Sequence, residues 1–434
     1  MAKKILPIVT ATLDKIVGGG QTMGTMEDGR KLFVWGGLPG ETVEVQLTKK
    51  KSKLAEGVVT EVLKASKERI APVDESSYLS TSPWQIMSFA TEQTYKAALI
   101  KEAFDLHHVD LPNEVNLYSD TKEYGYRNKV EFSFWWDKET GSLDLAFFRR
   151  GTHGKIGVES TSLAHPAINA AGQAIRDLLV RRAVKGLDLK TLLVRCDAEG
   201  NVVAQLYVKN EEFRRFPDFE LEALPIKGLE IIFSNPRSPA SVITKKLFSW
   251  GDITLSDTIL DVPFTYATEG FFQINLPVYT QALIDMKAFV LPKKNVVDLY
   301  SGVGTIGLTI GGDKVTLVEV NESAVREMKE NIIALGREDS ATAVLAPTEK
   351  ALEYITADDL VIVDPPRAGL HQDVVDQLLA VLPERIIYLS CNPVTQARDV
   401  MLLQEKYAIS AHQGYNFFPR TPHIENLVVL DLVK

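Results

Sequence analysis

A thiol at the carboxyl end of an apolar run is one group in this chain with the makings of chemistry. Residues 385–393, RIIYLSCNP, read as a short buried strand that stops at Cys391, because Asn392 and Pro393 break the run. Ligand sites in doubly wound sheets open at that end of the strands. A free cysteine is ordinarily a buried, inert small hydrophobe, so the thiol gains meaning only from its neighbours. Two other strand ends supply them. VVDLY runs into SGVGTIG (301–307), where Gly302, Gly304 and Gly307 keep G-x-G-x-x-G spacing and Glu319 closes the next strand. Glycines there let backbone approach a ligand, and a carboxylate after the second strand accepts hydrogen bonds from ribose hydroxyls. That spacing suits a nicotinamide-dependent dehydrogenase and an S-adenosylmethionine enzyme alike. VIVDPPRAG (361–369) ends a further strand at Asp364, and two prolines after it make a rigid, open turn. Alone, the turn is structural punctuation. After an adenosyl-type loop it points to methyl transfer and away from hydride transfer.

Those strand ends need a parallel sheet to bring them together. From 295 to 434, the runs NVVDLY, KVTLVEV, DLVIVD, RIIYLS and NLVVLDL alternate with helical stretches at 323–336 and 373–382, the pattern of an α/β fold. Residues 111–270 read as strand-rich, with GYRNKVEFSFWW (125–136) and LDLAFFRRGTHGKIG (143–157) bracketing a turn at 138–142. Their aromatics, interleaved with Arg127, Lys129, Arg149 and Arg150, suit base stacking and phosphate contact. They serve equally as a core face, with Phe132, Phe134 and Trp136 inside and the charges solvated. Residues 91–108 have helical periodicity that places Tyr95, Ala98, Leu99 and Phe104 on one face. Residues 1–65 read as a small β-barrel with Lys49, Lys50, Lys51 and Lys53 in one turn, either solvated or against phosphate. The division expected is 1–65, barrel; 66–270, connector helix and strand-rich middle domain; 271–434, α/β domain.

Composition sets the outer bounds. At 434 residues the chain exceeds what one core supports. No run approaches the ~20 apolar residues a membrane helix needs. MAKKILPIVTATLDK has no leader-like apolar core, so a cytoplasmic protein is expected. A net charge of -9 argues against general coating of nucleic acid and leaves local basic patches open. The two cysteines, Cys196 and Cys391, have no partners at metal-ligand spacing, which excludes structural zinc and cysteine-ligated clusters. Cys196 sits in an alternating strand and is read as structural.

Taken in order, VDLYSGVGTIG, VDPPRAG, LSCNP and PRTPHIE (419–425) resemble the motifs of the RNA 5-methyluridine methyltransferase family. GFFQIN (270–275) matches that family's glutamine-bearing segment, and the front barrel resembles a TRAM domain. The resemblance implies a Rossmann-like class I methyltransferase domain with a seven-stranded sheet in order 3-2-1-4-5-7-6, its last strand antiparallel. In that topology the start of the last strand lies beside the end of the fifth, which puts Glu425 next to Cys391. The resemblance further implies Cys391 as nucleophile and Glu425 as general base. It places Gln273, Tyr300, Gly302, Glu319 and Asp364 against S-adenosylmethionine. The partner implied is an RNA loop, ribosomal or transfer, and the protein is expected to be a monomer that engages no membrane. Uracil chemistry explains those residue types, since carbon 5 attacks a methyl sulfonium only after a thiolate adds to carbon 6. A base must then remove the carbon 5 proton.

The chain departs from the family pattern twice. Where barrel-bearing members commonly hold a cysteine-ligated iron–sulfur cluster, YLSTSPWQ (78–85) has no cysteine and Thr161 stands near another ligand position, so no cluster is expected. Pro347 and Thr348 occupy the place where an acid near the adenine is usual. Two other readings stay in view. A nicotinamide-dependent oxidoreductase explains the glycine loop but gives VDPPRAG, Cys391 and Glu425 no task. A non-catalytic RNA-binding relative has no need to keep both Cys391 and Glu425.

Overall fold

Apolar runs without alternation bury both faces of a strand, and that is how the last third of the chain folds. In the computed structural model, which describes residues 6–137, 139–152, 154–292 and 294–433, the middles of these runs are at most 2% exposed. Lys138 of the turn expected at 138–142, and residues 1–5 of the N-terminal stretch, lie outside the described residues. The strands are β1 (Asn295–Leu299), β2 (Val315–Glu319), β3 (Ala341–Leu345), β4 (Asp359–Val363), β5 (Arg385–Ser390), β6 (Tyr407–Tyr415) and β7 (Glu425–Leu432). They lie in the order β3-β2-β1-β4-β5-β7-β6, with β7 antiparallel to both neighbours. Helices cover both faces. Phe89–Leu106 (α1) packs on one and Leu276–Lys287 on the other.

The sheet is wider than the seven strands expected. Leu117–Tyr118, from the connector, pairs in parallel with Gly414–Tyr415 of β6 and makes an eighth. This short strand covers an edge that would otherwise offer unpaired backbone groups.

Helix α1 differs from its sequence reading on the face it buries. Leu99 and Phe104 are buried as expected, but Ala98 is exposed, and Glu92 and Lys96 are fully buried instead. Charges at i and i+4 stand on one helix face, and Lys96 Nζ lies 2.9 Å from Glu92 Oε1. Both then grip the loop between β6 and β7. Lys96 donates to Asn416 Oδ1 (2.6 Å) and Phe418 O (3.1 Å), while Glu92 accepts from Asn416 Nδ2 (3.0 Å) and the Arg420 amide (2.9 Å). Arg420, at φ 65°, reaches on to Met87 O (2.7 Å) and pairs with Glu123.

Residues 8–64 close a five-stranded barrel from Ile8–Ile16, Thr22–Thr25, Lys31–Trp35, Thr42–Lys50 and Leu54–Lys64. Residues 129–251 form a seven-stranded sheet, and the expected hairpin pairs Trp136 with Leu143. Its face is covered by a helix, Pro166–Arg181, that a strand-rich reading does not anticipate. Ile168, Ala171, Ile175, Leu178 and Leu179 make its buried stripe, and Pro166 starts it.

The cysteine-free connector is held by hydrogen bonds. Gln85, fully buried, donates to Ser82 Oγ (2.7 Å), Ser162 Oγ (3.0 Å) and Asp74 Oδ2 (3.1 Å), and accepts from the Asp74 amide (2.9 Å). Asp74 also accepts from the Ser162 hydroxyl (2.8 Å) and, more distantly, that of Thr161 (3.5 Å). Each member of this cluster has its hydrogen bonds, as a buried polar network requires.

The Glu92–Lys96 pair yields a stability prediction. Glu92→Gln leaves a buried ammonium without its counter-charge, a change expected to cost about 3–5 kcal/mol. Chemical denaturation checks it, and an unchanged midpoint would mean that the loop before β7 is anchored elsewhere.

Candidate active site

The glycine turn after β1 is built by left-handed backbone. Tyr300 (φ 63°), Gly302 (57°) and Gly304 (87°) all adopt it, and only the glycines do so without strain. The turn is pinned from beneath. Gly302 donates its amide to Glu319 Oε2 (2.9 Å) at the end of β2, and Gly307 donates to buried Asp298 Oδ2 (2.9 Å). A Cβ at Gly307 would overlap Leu317, so the helix that starts at Thr305 packs directly on the sheet. Asp364 follows β4, whose register sets Leu299 beside Val363.

The thiol and the distant carboxylate come from neighbouring strands. Ser390 of β5 pairs with Asn426 of β7, so Cys391 and Glu425 follow one step further along the same ladder. Cys391, Glu425, Asp364, Glu319, Gly302, Tyr300 and Gln273 all line one cavity of about 920 Å³. The seven residues that the resemblance assigns to catalysis or to the cofactor are therefore in one place. Pro347 and Thr348 line it as well, joined by an acid that sequence reasoning passed over, Glu349.

The cavity is acidic, and burial raises the pKa values of its groups. Burial pushes Asp298 up to about 8 and Asp364 up to about 7. Burial, then Asp364, holds Glu425 well above the usual carboxylate range, and Arg367 opposes them. Burial, then Glu425 and Asp364, pushes the Cys391 thiol up to about 12. Without a ligand the thiol is protonated.

Three further residues shape the site. Arg367 Nη2 lies 3.0 Å from His423 Nδ1. A guanidinium only donates, so Nδ1 accepts and the ring proton is on Nε2. Burial and Arg367 together lower the pKa of His423 to about 4, so its ring is neutral. Both residues stand inside the quoted motifs VDPPRAG and PRTPHIE, which was the available signal. Arg195 had none. Fully buried in the middle domain, it stacks on Tyr266 (4.4 Å) and donates to Gly270 O (2.8 Å), Phe272 O (3.0 Å), Ala267 O (3.3 Å) and Thr268 O (3.3 Å). Lys129 Nζ adds a bond to Gly270 O (3.0 Å). These cations hold the segment that carries Phe271 and Gln273 into the cavity.

Other sequence candidates lie outside this cavity. Phe132 and Phe134 are buried and Trp136 packs on the same core. Arg150 lies 4.1 Å above the Trp35 ring, joining middle domain to barrel. Lys49, Lys50, Lys51 and Lys53 are exposed at a hairpin tip, with Lys49 paired to Glu56 (2.6 Å). Cys196 is buried, its thiol pushed up to about 12 by burial.

A glycine turn, an acid after the second strand and an antiparallel seventh strand define a class I methyltransferase fold, here preceded by a β-barrel. Family models agree: one for tRNA (uracil-5-)-methyltransferases matches residues 90–433, and one for the TRAM domain matches residues 9–60. The chain belongs to the tRNA (uracil-5-)-methyltransferase family. It is 30% identical to an uncharacterized RNA methyltransferase of Lactobacillus johnsonii, over 93% of this chain and 94% of the relative. It is also 30% identical to one of Enterococcus faecalis, over 92% of each chain. Its fold matches the crystal structure of Pyrococcus abyssi tRNA (uracil-54, C5)-methyltransferase in complex with S-adenosyl-L-homocysteine, with a TM-score of 0.78. That match has 21% identity over 97% of this chain and 100% of the other.

Arg195→Met would leave four carbonyl oxygens short of a donor. It is expected to lower stability by about 2–4 kcal/mol and to speed amide hydrogen exchange across residues 267–273. Unaltered exchange there would show that this segment holds its shape without the guanidinium.

Proposed function

We propose that this protein methylates carbon 5 of a uridine in an unpaired loop of ribosomal or transfer RNA, through a covalent bond between Cys391 and the base. One observation carries the reading: a thiol and a carboxylate 34 positions apart in sequence open into the same cavity as the glycine turn.

The cavity suits S-adenosylmethionine, which when bound supplies an electrophilic methyl sulfonium. Gly302 offers bare backbone, Glu319 a carboxylate for ribose hydroxyls, and Gln273 a side-chain amide that makes no hydrogen bond to a described residue. Asp364, Glu319 and Glu349 make the wall acidic, which favours a cationic ligand. Tyr300 contributes its ring to the wall.

The residues then divide the work. The target base must leave its stack to reach the thiol, which favours loops. Cys391 Sγ bonds to carbon 6 as its proton passes to solvent, and the electron pair of the carbon 5–carbon 6 double bond shifts into the ring to make carbon 5 nucleophilic. His423 offers a neutral Nε2–H to a uracil carbonyl. Once carbon 5 carries the methyl group, Glu425 takes its proton; the carbon 6–sulfur bond breaks and the ring regains its double bond. A carboxylate with a raised pKa is the stronger base for that step. A nicotinamide enzyme would have no use for the Cys391–Glu425 pair.

Cys391→Ala is expected to bind S-adenosylmethionine yet form no 5-methyluridine, read by mass spectrometry of digested RNA. Glu425→Gln is expected to accumulate a protein–RNA adduct that survives a denaturing gel, because methylation proceeds and elimination stalls. Activity retained by the first variant, or absence of adduct with confirmed substrate in the second, would overturn the assignment of that residue.

Cofactor affinity should also vary with pH. Asp364 titrates at about 7 and Asp298 at about 8, both raised by burial. A bound cation favours their ionised forms, so binding below those values releases protons and weakens as pH falls. Calorimetry is expected to find tighter binding at pH 8.5 than at pH 6, and a flat profile would remove these carboxylates from the binding equilibrium.

A further inference from the structure

A second cavity, of about 340 Å³, adjoins the thiol. It shares Cys391, Arg367 and His423 with the larger cavity but includes none of the glycine turn. Its other walls come from three separate elements: Leu99 of α1, Val394 at the start of the helix Pro393–Leu403, and Gly18 and Gly19 of the barrel.

We infer that this cavity holds the nucleotide next to the methylated uridine on the same RNA strand, and that the barrel's Gly18–Gly19 turn reads it. The inference rests on the function proposed above. A base flipped onto Cys391 leaves its neighbour without a stacking partner, and that neighbour begins one backbone repeat from the shared wall. The volume lies in the range of small-ligand sites, and Leu99, Pro393, Val394, Pro422 and Ile424 give it apolar sides suited to a base face. Arg367, exposed at the rim, has no carboxylate partner among the described residues, so its remaining N–H groups suit a phosphate. The amides of Gly18 and Gly19 donate to no described acceptor. Beyond a Cβ built on Gly19 (φ 89°) there is open space.

The turn is also fixed in place. Gly20, next in sequence, lies so close to Pro422 that a Cβ there would overlap it, and Trp84 Nε1 donates to Gly20 O (3.0 Å). The barrel is thereby docked three residues before Glu425. It meets the RNA beside the reacting base.

The test begins by mapping the 5-methyluridine that purified protein adds to total RNA from cells lacking it. A synthetic hairpin around that uridine is then made intact or with an abasic residue immediately 5′ or 3′ of the target. Val394→Trp fills the cavity from the helix side. Gly18→Leu fills it from the barrel, where its Cβ would meet Val394 at an ordinary 3.9 Å. One abasic position is expected to raise the KM for RNA about tenfold in the wild type. Each variant is expected to raise KM similarly on intact RNA, to keep wild-type affinity for S-adenosylmethionine, and to lose little more with the abasic hairpin. Losses that multiply, or variants and abasic hairpins with wild-type KM, would overturn the inference and leave the methylation reading standing. If the wild type forms no 5-methyluridine at all, the methylation reading falls and takes this inference with it.

Discussion

Where the thiol and the carboxylate stand is decided by one register, the pairing of Ser390 on β5 with Asn426 on β7. Side chains alternate across a strand, so a slip of one residue would turn Glu425 to the opposite face. The register is locked close to the site. Gln396, fully buried on the helix Pro393–Leu403, donates to Tyr388 O and Asn426 O (both 3.0 Å) and accepts from Asn426 Nδ2 (2.7 Å). Asn426 Oδ1 lies 2.8 Å from His412 Nε2 on β6. Three strands are thus tied through two buried amides. An apolar pair would pack as well but would tolerate slippage, whereas an amide left unpaired in this interior is costly.

The charge on the molecule is arranged against its average. A net -9 hides a cavity where acids accumulate and a rim that carries one arginine, Arg367. Inside, Asp364 disfavours ionisation of Asp298, Glu425 and the Cys391 thiol, Glu425 that of the thiol, and burial disfavours all four. A thiol so placed is held in its protonated form, and the thiolate is the reactive one.

The parts of the fold that the sequence disclosed are those governed by local rules. Apolar runs alternating with amphipathic stretches specify parallel strands and helices, and Gly302, Asp364 and Cys391 stand where strands end. Motif resemblance, not spacing, led to Glu425. Burial of Glu92 and Lys96 was not legible, because charged residues on a helix are solvated by default and only the partner loop at 416–420 makes their burial tolerable. Arg195 was hidden for a similar reason: its acceptors are backbone carbonyls, which carry no sequence signal. The helix Pro166–Arg181 is a different case, since its stripe and N-terminal proline are plain in the sequence and were overlooked among strands.

The loop from Asn416 to Ile424 shows why three domains share one chain. Its path is set by the buried ions of α1, by the close approach of barrel Gly20 to Pro422, and by the β7 ladder that begins at Glu425. The β7 register fixes which face the carboxylate takes, and the other two fix the loop that leads into it. The helix anchors the loop's first half, the barrel presses on its second, and the sheet sets its exit. Displacing the barrel would free Pro422, and with it His423 and the hydrogen bond from Arg367. The barrel is therefore a structural neighbour of Cys391 and Glu425, through the loop that leads into β7.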